Sequence, residues 1–386
     1  MKKLNSFVIF FVALLVIVIF QLNLVNVNAD ELSDNIQNQL DNLDLSSLEE
    51  YFNSLQFSYG GGFVEALKSI LKGEYNFNFE TVFEYVFAIF LENYNILIPS
   101  LSAIVIIAFL CSVISNLKGK YMSKGLGDII FFVFFISTIL ILGSQVVGVY
   151  KKTKNLLETL ANFNEIMSPI LLTLMVSSGG NVSALLYKPA VALLSGGIIN
   201  VIVNLVLQII AFSSLLIIFS NFSDTIKLNK LGDSGYSIAK WILGLIATIF
   251  TIFLTIQGVS SAIYDGVSIR ATKYAISNSI PIIGSLLKDG FDLVVAGSIL
   301  IKNAIGLISV FGIFYTILSP VIFIWTFSFL LKLVGGITES FGDKRISDTC
   351  TALSKTITYL NVCILLVGLM IFITILLIIF SANAFI

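Results

Sequence analysis

WILGLIATIFTIFLTIQGVSSA, residues Trp241–Ala262, is a run of 22 residues without a charge. At about 1.5 Å of rise per residue it reaches roughly 33 Å as a helix, enough to cross a bilayer core of about 30 Å. Gly244, Thr248, Thr251, Thr255, Gly258 and Ala262 recur at alternating steps of four and three. That spacing draws a stripe of small and hydroxyl residues down one face, and Ile, Leu and Phe fill the others. In lipid, helices associate by close backbone approach and side-chain hydrogen bonds, so the stripe reads as a helix-packing seam. Its other reading is the wall of a polar path through the membrane. Either way the chain is an integral membrane protein.

The rest of the 386 residues agree with this reading. Hydrophobic residues make up 57% and charged residues 12%, about half the charged share of a soluble domain. With a mean hydropathy of +0.99, no large soluble catalytic domain fits. The net charge of −1 hides an asymmetry, because Asp30–Glu92 holds twelve acidic residues against Lys68 and Lys72. Such a segment does not bind nucleic acid. There is no histidine, which removes imidazole acid–base chemistry, His-paired nucleophiles and the commonest metal ligand. Cys111, Cys350 and Cys363 form no CxxC pair and read as small apolar fillers. No catalytic, metal or cofactor site is expected.

Taken in order, Met1–Ala29 has the form of a signal peptide. Lys2 and Lys3 precede an apolar core at Phe7–Phe20, and Val27-Asn28-Ala29 offers small residues before Asp30. An uncleaved first anchor is the rival reading. Residues 30–95 form a small acidic helical region expected outside the cytoplasm. Ile36, Leu40, Leu43, Leu48, Tyr51, Phe52 and Leu55 keep helical spacing, and Ser46 and Glu49 fit a capping box. Residues 96–386 form the membrane domain. Its apolar runs are Ile96–Ile114, Ile129–Tyr150, Ile166–Tyr187, Pro189–Phe222, Trp241–Ala262, Tyr274–Leu287, Leu293–Leu331 and Thr356–Ile386. Pro169 and Gly179-Gly180 interrupt the third, and Ser319-Pro320 splits Leu293–Leu331 into two expected spans. The fold expected is all-α and polytopic, with seven or eight transmembrane helices.

Short cytoplasmic loops favour Lys and Arg. If Ile166–Tyr187 crosses, eleven bases fall inside and six outside; if it does not, the counts reverse. The count therefore favours eight spans with both mature ends outside, although it puts Lys151, Lys152 and Lys154 on the wrong side.

Within Pro189–Phe222, Gly196, Asn200, Asn204 and Gln208 recur every four residues and gather polar groups along one side. Lys302 is a charge inside a span, which either faces a cavity or partner or snorkels to an interface. The segments Ile166–Tyr187 and Tyr274–Leu287 each carry a proline near a serine and then a glycine, and paired interrupted segments point to a transport path. Gly125-Leu126-Gly127-Asp128 and Tyr264-Asp265 match the GxGD and YD of intramembrane aspartyl proteases. The two stand in reversed order, however, and both aspartates sit at span ends. There is no P-loop.

Taken whole, the chain resembles the stage III sporulation protein AE family of endospore-forming bacteria. The order of signal peptide, acidic region ending in Lys72-Gly73-Glu74 and multi-span body carries the likeness. So do RATKYAISNSIPIIGSLL at Arg270–Leu287 and SILIKNAIG at Ser298–Gly306. The resemblance implies a non-enzymatic subunit of a secretion-like channel complex between mother cell and forespore, supporting late forespore gene expression. Implied partners are the other proteins of the stage III A operon and, through them, the forespore stage II protein Q. The implied place is the mother-cell membrane around the forespore, as a multi-pass protein embedded in the lipid bilayer. The competing expectation is an autonomous secondary transporter.

Overall fold

In the computed structural model, the residues described are 36, 39–40, 43–54, 63–71, 79–117, 123–222, 227–279, 284–341 and 344–381. The signal peptide, Lys72-Gly73-Glu74 and Pro281 lie outside them. Among the described residues the chain is helical, without strands. Two short helices, α1 (Ser46–Ser54) and α2 (Phe63–Leu71), precede α3 (Phe79–Leu117) and α4 (Lys124–Ser177). A long helix follows in pieces: α5 (Asn181–Ala192), a π-helical turn π1 (Leu193–Ile198), α6 (Ile199–Val201), a second π turn π2 (Ile202–Val206) and α7 (Leu207–Phe222). Then come α8 (Asn229–Ser279), α9 (Gly284–Ser340) and α10 (Lys344–Phe380). Six stretches are long and apolar enough to cross a membrane: Glu84–Ile114, Gly125–Ser177, Asn181–Asn221, Asn229–Gln257, Gly290–Ser340 and Lys344–Phe380.

The last helix sits in the middle. The stretch Lys344–Phe380 has the highest mean hydropathy, 3.4, and its most apolar window is 67% buried. It runs antiparallel to α9. Gly335 faces Thr351, Gly368 faces Ile317 and Gly306 faces Ile379. A Cβ at Gly306 would come within 2.4 Å of Ile379 Cγ1, and one at Gly368 within 2.3 Å of Ile317 Cδ1. Bare backbone is what allows this approach. Between these points Ser354 Oγ donates to the Ser328 carbonyl at 2.8 Å, and the Ser328 and Thr358 hydroxyls pair at 2.8 Å.

The other helices dress this pair. α3 runs parallel to α9, with Tyr85 stacked on Tyr315 and Ser112 Oγ donating to the Phe341 carbonyl. α4 runs antiparallel to both, with Gln145 bonded to Ser100 and Ser309 against Met167. α8 packs on α7 where Gly232 and Gly235 meet Ile217 and Ser213. Tyr236 reaches the Thr356 hydroxyl at 2.6 Å and stacks on Tyr359. α1 lies on α4 and α9: the ring of Phe52 covers Gly312 and meets Phe63 and Phe163. The expected capping box takes another form, because the Ser46 N–H and hydroxyl both donate to Asp44. Those bonds hold the Asp44 carboxyl below its ordinary range.

Three expectations meet a different geometry. Pro320 lies inside α9, so Leu293–Leu331 is part of one unbroken helix rather than two spans. Prolines inside membrane helices are tolerated where the surroundings re-satisfy the freed backbone group. Ile166–Tyr187 is the end of α4, a tight turn and the start of α5. Gly179 has φ 87°, and Gly180 N–H donates to the Met175 carbonyl and Gly179 N–H to that of Val176. This is a Schellman stop that only a residue free of a Cβ enters cheaply. Third, Lys124 at the start of α4 and Lys227 and Lys230 at the start of α8 lie at one end of the bundle. Arg345 sits over Phe131, Asn221 bonds Thr349 and Ser112 bonds Phe341. The eight-span count had put those two lysine groups on opposite sides.

α4 has 54 residues and is about 80 Å long, far more than the roughly 30 Å hydrocarbon core. Its exposed face changes at Tyr150. Ile129, Phe132, Val133, Leu140 and Val147 are exposed before it, and Lys151, Lys152, Lys154, Asn155, Glu158, Asn162 and Glu165 after it.

The close α9–α10 contact yields a test. Gly306→Leu and Gly368→Leu are expected to destabilise the purified chain by about 1–3 kcal/mol, the usual cost of overpacking. Gly336→Leu, whose Cβ meets nothing within 4 Å, should leave the melting temperature in detergent unchanged.

Candidate functional site: outward polar stripes and a buried ionic junction

The residues singled out in the sequence fall into two places. Gly244, Thr248, Thr251 and Thr255 are exposed on α8, and Gly258 continues their line in the same helix. The packed face of α8 is the other one: Leu243, Ile246, Phe250 and Leu254 are buried. The stripe therefore packs on no described helix of its own chain. Each threonine hydroxyl donates to its own helix, Thr248 to Gly244, Thr251 to Ala247 and Thr255 to Thr251, all at 2.8 Å. A shallow groove runs along Ala247, Thr248, Thr251 and Ile252.

Gly196, Asn200, Asn204 and Gln208 are also exposed, every one of them. A four-residue step overshoots a 3.6-residue turn by about 40°, so three such steps in an α-helix would drift by roughly 120°. The two π turns cancel that drift. In π1 the Ile199 N–H reaches back five residues to the Leu194 carbonyl, and in π2 the Leu207 N–H reaches Ile202. Wider turns underwind the helix locally, which keeps all four positions on one face. Asn200 donates to the Gly196 carbonyl at 2.8 Å.

Lys302 joins neither stripe and does not snorkel to a surface. It is fully buried on α9, and its Nζ donates to the Ser381 carbonyl at the end of α10. A cation there meets the negative end of the helix dipole. Nearby, Asp265 is also fully buried. Its carboxylate accepts the backbone N–H groups of Val182 at 3.0 Å and Ser183 at 3.3 Å, together with the Ser183 hydroxyl. The N-cap of α5 is Gly180, which has no side chain to cap it. Asp265 supplies that cap from another helix. One turn along α5, Tyr187 accepts from Ser381 Oγ at 3.4 Å. Four helices, α5, α8, α9 and α10, thus meet around a pair of opposite charges.

This arrangement gives the YD aspartate a structural task. Asp128 lies in the first turns of α4, at the end where Arg345 sits over Phe131, whereas Asp265 belongs to the Ser381 end. Along α10 those ends lie about 54 Å apart, so the two carboxylates share no water or proton. Sequence reasoning missed this junction. The one available signal was Gly179-Gly180 before Asn181, a helix start in need of a distant cap. Among the described residues, no group of three or more metal-ligating side chains comes together.

Comparison with known proteins covers nearly all of these elements. The family described as Stage III sporulation protein AE matches residues 62–382, which include every residue of the stripes and the junction. The Stage III sporulation protein AE of Bacillus subtilis (strain 168) is 27% identical over 350 residues, 88% of this chain and 86% of that protein. No solved structure matches.

Removing the Asp265 carboxylate leaves buried amides and Lys302 uncompensated. Asp265→Ala should lower stability by about 3 kcal/mol, and Asp265→Asn, which keeps an acceptor, by less. Hydrogen exchange at Val182 and Ser183 should speed up in the alanine variant; unchanged exchange would refute the capping role.

Proposed function

The chain belongs to the stage III sporulation protein AE family, and from that premise we propose that it is a non-enzymatic membrane subunit of a secretion-like channel between mother cell and forespore. The observation that carries the reading is the family match across 62–382. In this reading the chain sits as a multi-pass protein in the mother-cell membrane around the forespore. It assembles there with other proteins of the stage III A operon and, through them, with the forespore stage II protein Q, and it supports late forespore gene expression.

The charge distribution supports an orientation. The basic end holds Lys124, Lys227, Lys230, Lys344 and Arg345 and belongs in the cytoplasm by the positive-inside rule. Six crossings then return the chain to the side from which α3 set out. The acidic helices α1 and α2 pack on α4 and α9 away from the basic end, which fits a place between the two membranes. Their exposed Glu49, Glu50 and Glu65 suit partners more than anionic lipid.

An in-frame deletion in the native host tests the assignment. Vegetative growth should be normal, and heat-resistant spores should be lost after engulfment. A growth defect with normal sporulation would overturn the channel reading and favour an autonomous transporter.

A further inference from the structure

Several buried polar atoms that have no hydrogen-bond partner among the described residues stand at one height of the bundle. They are Asn93 Nδ2 on α3, Gln145 Oε1 and Thr153 Oγ1 on α4, Thr326 Oγ1 on α9 and Asn361 Oδ1 on α10. Tyr85 at Tyr315 and Ser112 at Phe341 set the register of α3 on α9, and by it Asn93 comes level with Phe323. Phe323 is also the ring beneath Lys152, the neighbour of Thr153. Thr358 at Ser328 and Gly368 at Ile317 bring Asn361 level with Trp325. Gln145, two turns before Lys152, completes a layer about 12 Å thick. The paired Ser328 and Ser354 hydroxyls lie in it too.

Asn93, Thr153, Thr326 and Asn361 are all at least nine-tenths buried, and leaving such groups unbonded is costly. The threonines add a second observation. Thr138, Thr349, Thr356 and Thr374 are just as buried, and each donates to the carbonyl four residues back in its own helix. Thr153 and Thr326 make no such bond. A hydroxyl that forgoes the bond within its reach is turned towards something else. Thr326 stands three turns beyond Tyr315 on the same side of α9, the side that faces α3.

We propose that this layer is a binding site for internal water, shared by α3, α4, α9 and α10. The donor set selects the ligand. Asn93 Nδ2 is a donor, Gln145 Oε1 and Asn361 Oδ1 are acceptors, and the two threonine hydroxyls are both. None of these groups is ionised, so the set matches neither a metal ion nor an anion. Water gives and takes hydrogen bonds through one small atom and suits a mixed set of this kind. Lys151 and Lys152 are exposed at the α4 edge of the layer, which gives water a polar way in. At this height α3 and α4 therefore seat on the α9–α10 hairpin through water. The proposal rests on packing alone and does not depend on the sporulation reading.

Two measurements on the full chain in detergent test it. Valine has the shape of threonine without the hydroxyl. Thr326→Val and Thr153→Val should each lower the melting temperature by about 2 °C, because each breaks bonds to water. A hydroxyl buried with no partner at all predicts the reverse. An unchanged or higher melting temperature in both variants would overturn the site. Hydroxyl-radical footprinting of the unaltered chain, by X-ray radiolysis and mass spectrometry, reads the water itself. Radicals form from bound water as well as from bulk, so a buried ring beside bound water is oxidised. Phe327 and Phe372 are both fully buried, and Phe327 adjoins Thr326. Phe327 should be modified at a dose that leaves Phe372 intact. Equal modification of the two rings, or none at Phe327, would refute the hydrated layer.

Discussion

The antiparallel seam between α9 and α10 is the contact on which the other helices rest. In lipid, burying one more leucine gains little, because the tails outside are as apolar as the core. What holds helices together there is dispersion between surfaces that truly touch. Gly306, Gly335 and Gly368 let the two backbones come close along most of the hairpin. The Ser328, Ser354 and Thr358 hydroxyls close the middle. α3 and α4 then dock on α9, and α7 and α8 reach α10 through Asn221 and Tyr236. A loosened seam would move all of them.

Polar groups inside the bundle are handled by helix ends. Asp265 satisfies the start of α5, and Lys302 satisfies the end of α10. Each charge thus meets the helix pole of opposite sign, and the two charges attract each other as well. These contacts give both ionisable groups a structural task. Their partners are the Val182 and Ser183 amides, the Ser183 hydroxyl and the Ser381 carbonyl.

Much of this was legible in the sequence, and the misses have physical causes. The all-helical, multi-span character follows from uncharged runs such as Trp241–Ala262. Pro320 suggested a break because proline removes a backbone donor, yet the helix runs on through it. Gly179-Gly180 suggested an interrupted span, whereas the glycine marks a full reversal. The four-residue spacing from Gly196 to Gln208 was visible, but its consequence was not. A period of four stays on one face only if the helix is underwound, and underwinding is a property of backbone closure that side-chain identity does not announce. Gly244, Thr248, Thr251 and Thr255 share the exposed face of α8. Which way that face points depends on where α7 lies, and no local pattern encodes that.

The cap on α5 has a consequence for biogenesis. Val182 and Ser183 leave the ribosome more than eighty residues before Asp265, the group that satisfies their amides. The α4–α5 hairpin therefore enters the membrane with an open end, held only by its Schellman turn. It acquires its final partner when α8 arrives. The last piece, Ser381 over Lys302, is set only 79 residues after Lys302 itself has been made. That end of the bundle consequently matures after the basic one, and a chain truncated before Ser381 would keep it in an immature form.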